Sequence, residues 1–188
     1  MAKTGERKAQ ILQTLAGMLE DPKGERITTA LLAARLDVSE AALYRHFASK
    51  AQMFEGLIEF IEQTLFTLVN KIQTEEKDAL KQVEATVTTL LGFSQKNPGM
   101  TRVLIGDALV NEDERLQARM NQLYDRIEAA LRQALRIAQA GGDWPGDPNA
   151  EANVLLAYVL GRWQLFAKSG FKRAPQEGWE AQRKFLFG

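Results

Sequence analysis

The chain has one histidine, His46, and no cysteine, so chemistry based on imidazole or thiolate groups has a single starting point. One imidazole without a thiol cannot form a His-based metal cluster. No serine-histidine-aspartate arrangement, phosphate-binding loop or dinucleotide fingerprint is evident either. The paired carboxylates Glu75-Glu76 and those of residues 112–114 lie in charged turns that give no cause for a raised pKa. We therefore predict that the protein is not an enzyme and needs neither a metal nor a cofactor.

His46 belongs to the stretch SEAALYRHFASK, residues 39–50, which brings small, aromatic and cationic residues close together. On a helical wheel, Leu43 and Phe47 point to one side and must be buried. The opposite side carries two alanines, which let a helix backbone approach a groove, and side chains that can donate to phosphates or base edges. The residues on this side and its flanks are Ala41, Ala42, Arg45, Tyr44 and His46. A tight corner in a helical bundle is the alternative interpretation of this segment.

The residues before this helix predict another short helix and a tight turn, which is the order found in a helix-turn-helix. Thr28 can cap the first helix, and Asp37 falls in the turn, where a positive φ is wanted. Ser39 can cap the second helix, and Glu40 suits its positive N-terminal end. The first helix is expected to turn three leucines inward and to keep a small residue at the crossing: Leu31, Leu32, Leu36 and Ala33. The sequence therefore predicts a helix-turn-helix over residues 28–47.

Ser49 and Lys50 open the next helix, where a cation is unfavourable because the N-terminal end of a helix is already positive. A DNA phosphate held at the same N-terminus would explain a lysine at this position. An ordinary solvated lysine explains it equally well. Residues 1–50 carry eight Lys and Arg against six Asp and Glu, so charge by itself leans only weakly toward a nucleic-acid surface.

Helical periodicity extends over nearly all of the remaining chain, and no alternating β-branched run indicates a strand. A hydrophobic fraction of 45% with 26% charged residues is ordinary for a globular protein. We predict an all-α fold of about eight to ten helices, the first of which closes at the sequence DPKG. Besides the two short helices, their approximate limits are 5–20, 50–72, 76–95, 98–109, 111–139, 149–168 and 176–187.

These features together resemble the DNA-binding domain of TetR-family regulators. The family pattern places a Thr-Thr pair at the start of the second helix, here Thr28-Thr29, and a Val-Ser pair before the third. The sequence LYRHF lies within the third helix and Ser-Lys opens the fourth, as the family pattern requires. Asp37 departs from the glycine that is usual in the turn. The match covers about residues 8–58.

The resemblance implies a TetR-like architecture in two parts. Residues 1–48 would form a three-helix helix-turn-helix domain, and residues 49–188 a larger helical bundle for dimerisation and partner binding. It also implies a homodimer that binds palindromic double-stranded DNA. The absence of cysteine suits a reducing cytoplasm, and neither a signal peptide nor an apolar run of about 20 residues is visible. We therefore expect a cytoplasmic, nucleoid-associated protein without a membrane segment.

Further stretches, among them LLGFSQKNPGMTRVLIGDAL and ERLQARMNQLYDRIEAALRQALR, resemble the branch of the family that acts in nucleoid occlusion. This branch implies antagonism of FtsZ, the tubulin-like division protein, so that septa do not close over the chromosome. Carried over by position, the implied DNA contacts are Thr28, Thr29, Ser39, Ala41, Ala42, Tyr44, Arg45, His46 and Lys50. The implied FtsZ contacts lie at a groove between the fourth and fifth helices: Phe60, Glu62, Thr89, Gly92, Lys96 and Asn97.

Two other functions stay open at this point. A TetR-type repressor released by a small-molecule ligand needs an apolar cavity, and Gly92, Gly106 and Gly161 could border one or allow close helix packing. The apolar residues near them are expected to be core rather than pocket: Leu90, Leu91, Phe93, Leu104, Leu155, Leu156, Trp163 and Phe166. An interaction protein with a vestigial helix-turn-helix is the other alternative. Arg45 and Tyr44 on the predicted outer face argue against it.

Overall fold

The computed structural model describes residues 4–21 and 27–187, and these ranges contain nine α-helices and one short 3-10 helix. The helices are α1 Thr4–Met18, α2 Thr29–Arg35, α3 Glu40–Tyr44, α4 Lys50–Glu75, α5 Ala79–Lys96, α6 Pro98–Leu104, α7 Glu114–Gly141, α8 Pro148–Lys168 and α9 Trp179–Phe187. The 3-10 helix covers Asp107–Leu109. The described part contains no strand, and the all-α prediction is confirmed.

Aspartates precede three of the long helices, and a glycine interrupts the segment 98–109. Asp78, Asp113 and Asp147 each precede a helix and accept a backbone N–H from its first turn. Gly106 has a φ of +79°, a conformation that glycine adopts at no steric cost, and it separates α6 from the 3-10 helix. The segment 98–109 is therefore two elements, where the sequence pattern predicted one helix.

The larger part of the molecule is a bundle in which α4, α5, α7 and α8 pack around one apolar core. Trp163 of α8 is fully buried there, and its indole Nε1 donates to the carbonyl oxygen of Leu90 at 3.1 Å. This bond satisfies the one polar atom of the indole. The residues expected to be core are all buried, as predicted: Leu90, Leu91, Phe93, Leu104, Leu155, Leu156, Trp163 and Phe166.

Helix α1 connects the helix-turn-helix to the bundle, because it packs on α2, α4 and α6. Its buried side carries Ile11 and Leu15. Gly99 of α6 permits the close approach, since a Cβ atom at this position would lie 1.9 Å from the carbonyl oxygen of Ala16. Direct helix contact therefore positions the N-terminal module on the bundle. The division of the chain between residues 48 and 49 stays a prediction.

Two sequence expectations need adjustment in the first part of the chain. Leu31, predicted to face inward, is 49% exposed, because α2 buries Leu32 and Ala33 instead. Helix α1 ends at Met18, two residues before its predicted limit, and Pro22–Gly24 of the DPKG stop lie outside the described residues. Within residues 4–21 and 27–187, none of the helices has the length and apolar character needed to cross a membrane.

Candidate nucleic-acid interface

Local hydrogen bonds form the α2–turn–α3 unit as the sequence predicted. The Thr28 hydroxyl accepts the backbone N–H of Leu31 at 3.2 Å, and the Ser39 hydroxyl accepts that of Ala42 at 3.3 Å. Both residues cap their helices from extended backbone conformations. Asp37 in the turn has a φ of +53°. The predictions of two caps and a positive φ at this turn are confirmed.

The inner side of α3 is anchored in the core of the N-terminal module. Leu43 is 1% exposed and Phe47, just after the helix, is also buried. The ammonium group of Lys8 in α1 lies 5.5 Å from the centre of the Phe47 ring, within the range of a cation–π interaction. Burial of the leucine and phenylalanine fixes which side of α3 faces outward.

The outer side of α3 is open, with small and polar residues on it. Ala41, Tyr44 and Arg45 are exposed, whereas Ala42 and His46 are half-buried. The Nδ1 atom of His46 is buried and has no hydrogen-bond partner among the described residues. The contact of His46 with DNA stays a prediction. The arrangement predicted from the helical wheel is confirmed, with Ala42 less open than Ala41.

The Lys50 side chain at the start of α4 forms an ion pair with Glu112 in the loop before α7. The two side chains are 22% and 12% exposed, and the Lys50 ammonium also lies 5.6 Å from the Phe54 ring centre. The carboxylate of Glu112 thus supplies a reason for a lysine at a positive helix end. Lys50 is not the solvated lysine of the simpler interpretation. Its contact with DNA stays a prediction, and that contact requires Lys50 to leave Glu112.

A chain of hydroxyl groups joins α2 to α3 at the edge of the open face. The Tyr44 hydroxyl donates to Thr29 Oγ1 at 3.5 Å, and Thr29 Oγ1 donates to Glu40 Oε2 at 2.5 Å. Sequence reasoning treated Glu40 only as a favourable charge at a helix end. The signal that it missed was the eleven-residue separation of Thr29 and Glu40, which the tight turn converts into contact.

Five of the six predicted FtsZ contacts line two neighbouring cavities beside α4 and α5. Phe60, 48% exposed, lines a cavity of about 610 Å³ between α1 and α4, together with Asn97. A cavity of about 350 Å³ on α5 is lined by the other four: Thr89, Gly92, Lys96 and Asn97. Because both cavities include Asn97, these residues form a continuous surface. We call this surface the α4–α5 groove.

Glu62 lines neither of these two cavities, and its contact with FtsZ stays a prediction. It points to α7, where a carboxylate oxygen lies 2.9 Å from Arg119, and its side chain is 14% exposed. This hydrogen bond raises the pKa of Arg119 above its ordinary value. Phe60 and Glu62 are two residues apart on one helix, so they point about 200° apart around its axis. Phe60 and Glu62 therefore lie on different sides of α4.

The segment before α9 contributes a groove residue that the sequence did not predict. Gln176 donates from its side-chain amide to the Thr88 carbonyl at 3.3 Å, and its backbone N–H donates to the Gln95 side chain at 3.3 Å. The Trp179 indole donates to the Thr88 hydroxyl at 2.8 Å. These contacts lie across α5, more than eighty residues away in the sequence. No local pattern marks such a pairing.

The three glycines considered as cavity or packing positions behave differently from one another. A Cβ atom on Gly92 would lie 3.2 Å from the Gln176 amide, so this glycine leaves space for the segment before α9. Gly106 is required by its positive φ. Gly161 is exposed, and a Cβ added to it would have no neighbour within 4 Å in the described part of the chain. Close packing within the chain therefore explains Gly92 but not Gly161.

Two family profiles match the sequence, one for each part of the chain. Residues 25–57 match "Bacterial regulatory proteins, tetR family". Residues 77–188 match the SlmA-like profile described as "Tetracyclin repressor-like, C-terminal domain". Among solved structures, the fatty acid degradation regulator FadR from Bacillus halodurans superimposes with a TM-score of 0.80, covering 99% of this chain and 97% of that one. At 15% identity, this likeness concerns the fold alone.

Much closer sequence relatives carry a single name. The nucleoid occlusion factor SlmA of Alteromonas mediterranea is 53% identical over 182 residues, which are 96% of this chain and 93% of that protein. The nucleoid occlusion factor SlmA of Idiomarina loihiensis is 52% identical over 178 residues, or 94% and 91% of the two chains. The chain described here therefore belongs to the SlmA family of nucleoid occlusion factors, and its N-terminal part is a TetR-type DNA-binding domain.

Proposed function

We propose that this protein binds palindromic chromosomal DNA as a homodimer and antagonises FtsZ assembly, so that septa do not close over the nucleoid. The observation that carries the proposal is the open face of α3, capped by Ser39 and anchored by Leu43. It occurs in a chain about half identical to SlmA nucleoid occlusion factors. The protein would act in the cytoplasm, associated with the nucleoid.

The proposed DNA surface combines charge, small residues and hydroxyl groups. Arg45 suits a phosphate or the two acceptors of guanine in the major groove, and the alanines let α3 come close. The hydroxyls of Thr28 and Ser39 accept backbone N–H groups, so their own protons are free for phosphates. The full proposed set is Thr28, Thr29, Ser39, Ala41, Ala42, Tyr44, Arg45, His46 and Lys50.

Replacing Arg45 with alanine tests this surface. DNA binding should weaken by roughly 1–3 kcal/mol if Arg45 contacts a base. If Arg45 contacts only a phosphate, the slope of the binding constant against salt concentration, both on logarithmic scales, should fall by about one. Fluorescence polarisation with a palindromic duplex at several salt concentrations measures both quantities. Arg136→Ala on α7 removes an equal charge away from α3 and should change neither. An Arg45→Ala protein with unaltered affinity and salt slope would overturn the assignment of α3 as the reading helix.

An exposed stripe on α8 supports the homodimer. Val154, Ala157, Gly161 and Leu165 recur at spacings of three and four residues on the outer side of this helix, and all four are exposed. Apolar and small residues in one stripe suit close packing of a helix against a second copy. Sedimentation velocity should show that Gly161→Lys yields monomers, whereas Gly17→Lys on α1 leaves the dimer intact. A dimeric Gly161→Lys protein would contradict this interface.

The α4–α5 groove is the proposed FtsZ site, with Lys96 as a cation at its border and Phe60 as an exposed aromatic anchor. This pairing suits an FtsZ segment with acidic and apolar residues. The charge reversal Lys96→Glu should weaken FtsZ binding by roughly tenfold, because like charges oppose each other at an interface. Lys81→Glu, exposed on the same helix, is the matched control. FtsZ binding is measured by sedimentation of FtsZ filaments. If Lys96→Glu binds as well as Lys81→Glu does, the α4–α5 groove is not the FtsZ site.

A repressor released by a small-molecule ligand is the second candidate function. The apolar residues of the cavity of about 610 Å³ favour it, since the cavity is large enough for such a ligand and lies beside Phe47 of the N-terminal module. A thermal-shift screen of metabolites, followed by operator binding with each hit, separates the two functions. A ligand that stabilises the protein and releases DNA would favour repression. Intact FtsZ antagonism without such a ligand would favour occlusion.

A further inference from the structure

Glu40 is an exposed carboxylate in the first turn of α3, at the edge where α3 meets Thr29 of α2. It accepts the Thr29 hydroxyl at 2.5 Å, and Thr29 in turn accepts the Tyr44 hydroxyl at 3.5 Å. These three side chains come from both helices of the helix-turn-helix and form one chain that ends on the carboxylate. Glu40 has no place in the DNA contacts considered above.

Thr29 has one hydroxyl proton, which it donates to Glu40 at 2.5 Å, whereas the Tyr44 hydroxyl lies 3.5 Å from Thr29 Oγ1, at the long limit of a hydrogen bond. Phosphate oxygens can only accept hydrogen bonds. Thr29 therefore has no donor left for a phosphate while it holds this arrangement, so its proposed contribution to DNA binding passes through Glu40. Thr28 and Ser39 differ, because their hydroxyls accept backbone N–H groups and keep their protons. The Thr29 hydroxyl thus orients the carboxylate of Glu40 and does not donate to the DNA backbone.

The charge of Glu40 limits what it can contact on DNA. A carboxylate repels phosphates and accepts hydrogen bonds only, so it needs a donor on a base edge. In the major groove the donors are the amino groups of cytosine and adenine. A glutamate suits the N4 amino group of cytosine, whereas adenine pairs best with an amide that both donates and accepts. Residues at the N-terminal end of a reading helix are the ones that reach base edges.

We propose that Glu40 reads a cytosine in each half-site, accepting its N4 amino group, while Thr29 and Tyr44 act as positioning residues for the carboxylate. This inference rests on the proposed use of α3 as the reading helix. A role limited to the helix dipole would also suit a carboxylate at this position. That role needs no hydroxyl chain and produces no base preference, so base preference is the quantity to measure.

The experiment selects preferred sites from a library of duplexes with randomised half-sites, using the full-length protein. Single base-pair changes of the best duplex are then measured by fluorescence polarisation. The protein should prefer cytosine over other bases at one position per half-site by about tenfold. Glu40→Ala should abolish that preference, and Glu40→Gln should shift it toward adenine. Both variants should bind random duplexes more tightly, because a negative charge near phosphates has been removed.

A second pair of variants tests the positioning role. Thr29→Val combined with Tyr44→Phe keeps the carboxylate and should reduce the cytosine preference without moving it to another base. Circular dichroism melting checks that each variant is folded. If Glu40→Ala keeps the base preference while Arg45→Ala weakens binding, the inference about Glu40 is wrong and the reading helix stands. If Arg45→Ala also leaves DNA binding unchanged, the proposed function itself fails.

Discussion

The face of α3 and the α4–α5 groove are the two proposed binding surfaces, and they are built in opposite ways. The α3 face lies within a unit of about twenty residues, where Ser39 and Leu43 set its orientation. The α4–α5 groove combines Phe60 of α4, Lys96 of α5 and Gln176 of the segment before α9. Local sequence rules predicted the orientation of the first surface. The family resemblance assigned Glu62 to the second surface, where it lines neither cavity, and its contact with FtsZ stays a prediction.

The difference teaches that a surface formed by neighbours in sequence is predictable from local rules, and a surface formed by distant helices is not. Caps, turn geometry and a helical wheel act over a few residues. The groove depends on which side of α4 faces α5 and which faces α7. An ion pair with Arg119 at 2.9 Å places Glu62 on the side of α4 that faces α7. Three variants can break or sharpen this comparison.

The largest effect is expected for Leu43→Ala, which leaves a cavity beneath the α3 face. Stability should fall by roughly 2–5 kcal/mol, and operator binding should be lost because α3 is no longer anchored. Urea unfolding followed by circular dichroism measures the free energy. Leu31→Ala, at an exposed leucine of α2, should change it by less than about 0.5 kcal/mol. If Leu43→Ala also abolished FtsZ binding in a protein of native helicity, the two surfaces would not be independent.

A smaller effect is expected for Glu112→Gln, which breaks the ion pair between the start of α4 and the loop before α7. Lys50 is mostly buried and would lose its anionic partner, so stability should fall by about 1–3 kcal/mol. If the released lysine then contacts a phosphate, the salt dependence of operator binding should steepen by about one contact. Glu114→Gln removes an exposed carboxylate two residues away and serves as control. Lower stability with an unchanged salt slope would show that Lys50 stabilises the fold and does not contact a DNA phosphate.

The smallest effect is expected for Gly92→Ala at the floor of the groove. Alanine favours a helix by about 1 kcal/mol over glycine, but its Cβ would meet the Gln176 amide at 3.2 Å. The net change in stability should be a few tenths of a kcal/mol, while FtsZ binding should weaken because the methyl group fills the groove. Gly17→Ala, whose added Cβ would meet no atom of the described residues within 4 Å, is the matched control for FtsZ binding. Undiminished FtsZ binding by Gly92→Ala would place the FtsZ site elsewhere.

Sequence reasoning predicted the caps and the turn of the helix-turn-helix, since each of these signals acts locally. The positive φ of Asp37 and the cap at Thr28 follow from turn and helix-end chemistry. The exposed position of Leu31 did not follow, because a seven-residue helix has several apolar sides and only packing chooses among them. Gly106 was considered as a cavity or packing position, but its positive φ separates α6 from the 3-10 helix.

The sequence by itself determined an all-helical chain, a capped helix-turn-helix, and the buried and open sides of α3, because helical periodicity and capping depend on near neighbours. Only the tertiary structure decided which charges meet. Lys50 pairs with Glu112 across 62 positions and Glu62 pairs with Arg119 across 57. Such pairs depend on the packing of helices that no local pattern records. They determine whether a lysine is available to DNA and on which side of α4 a carboxylate lies.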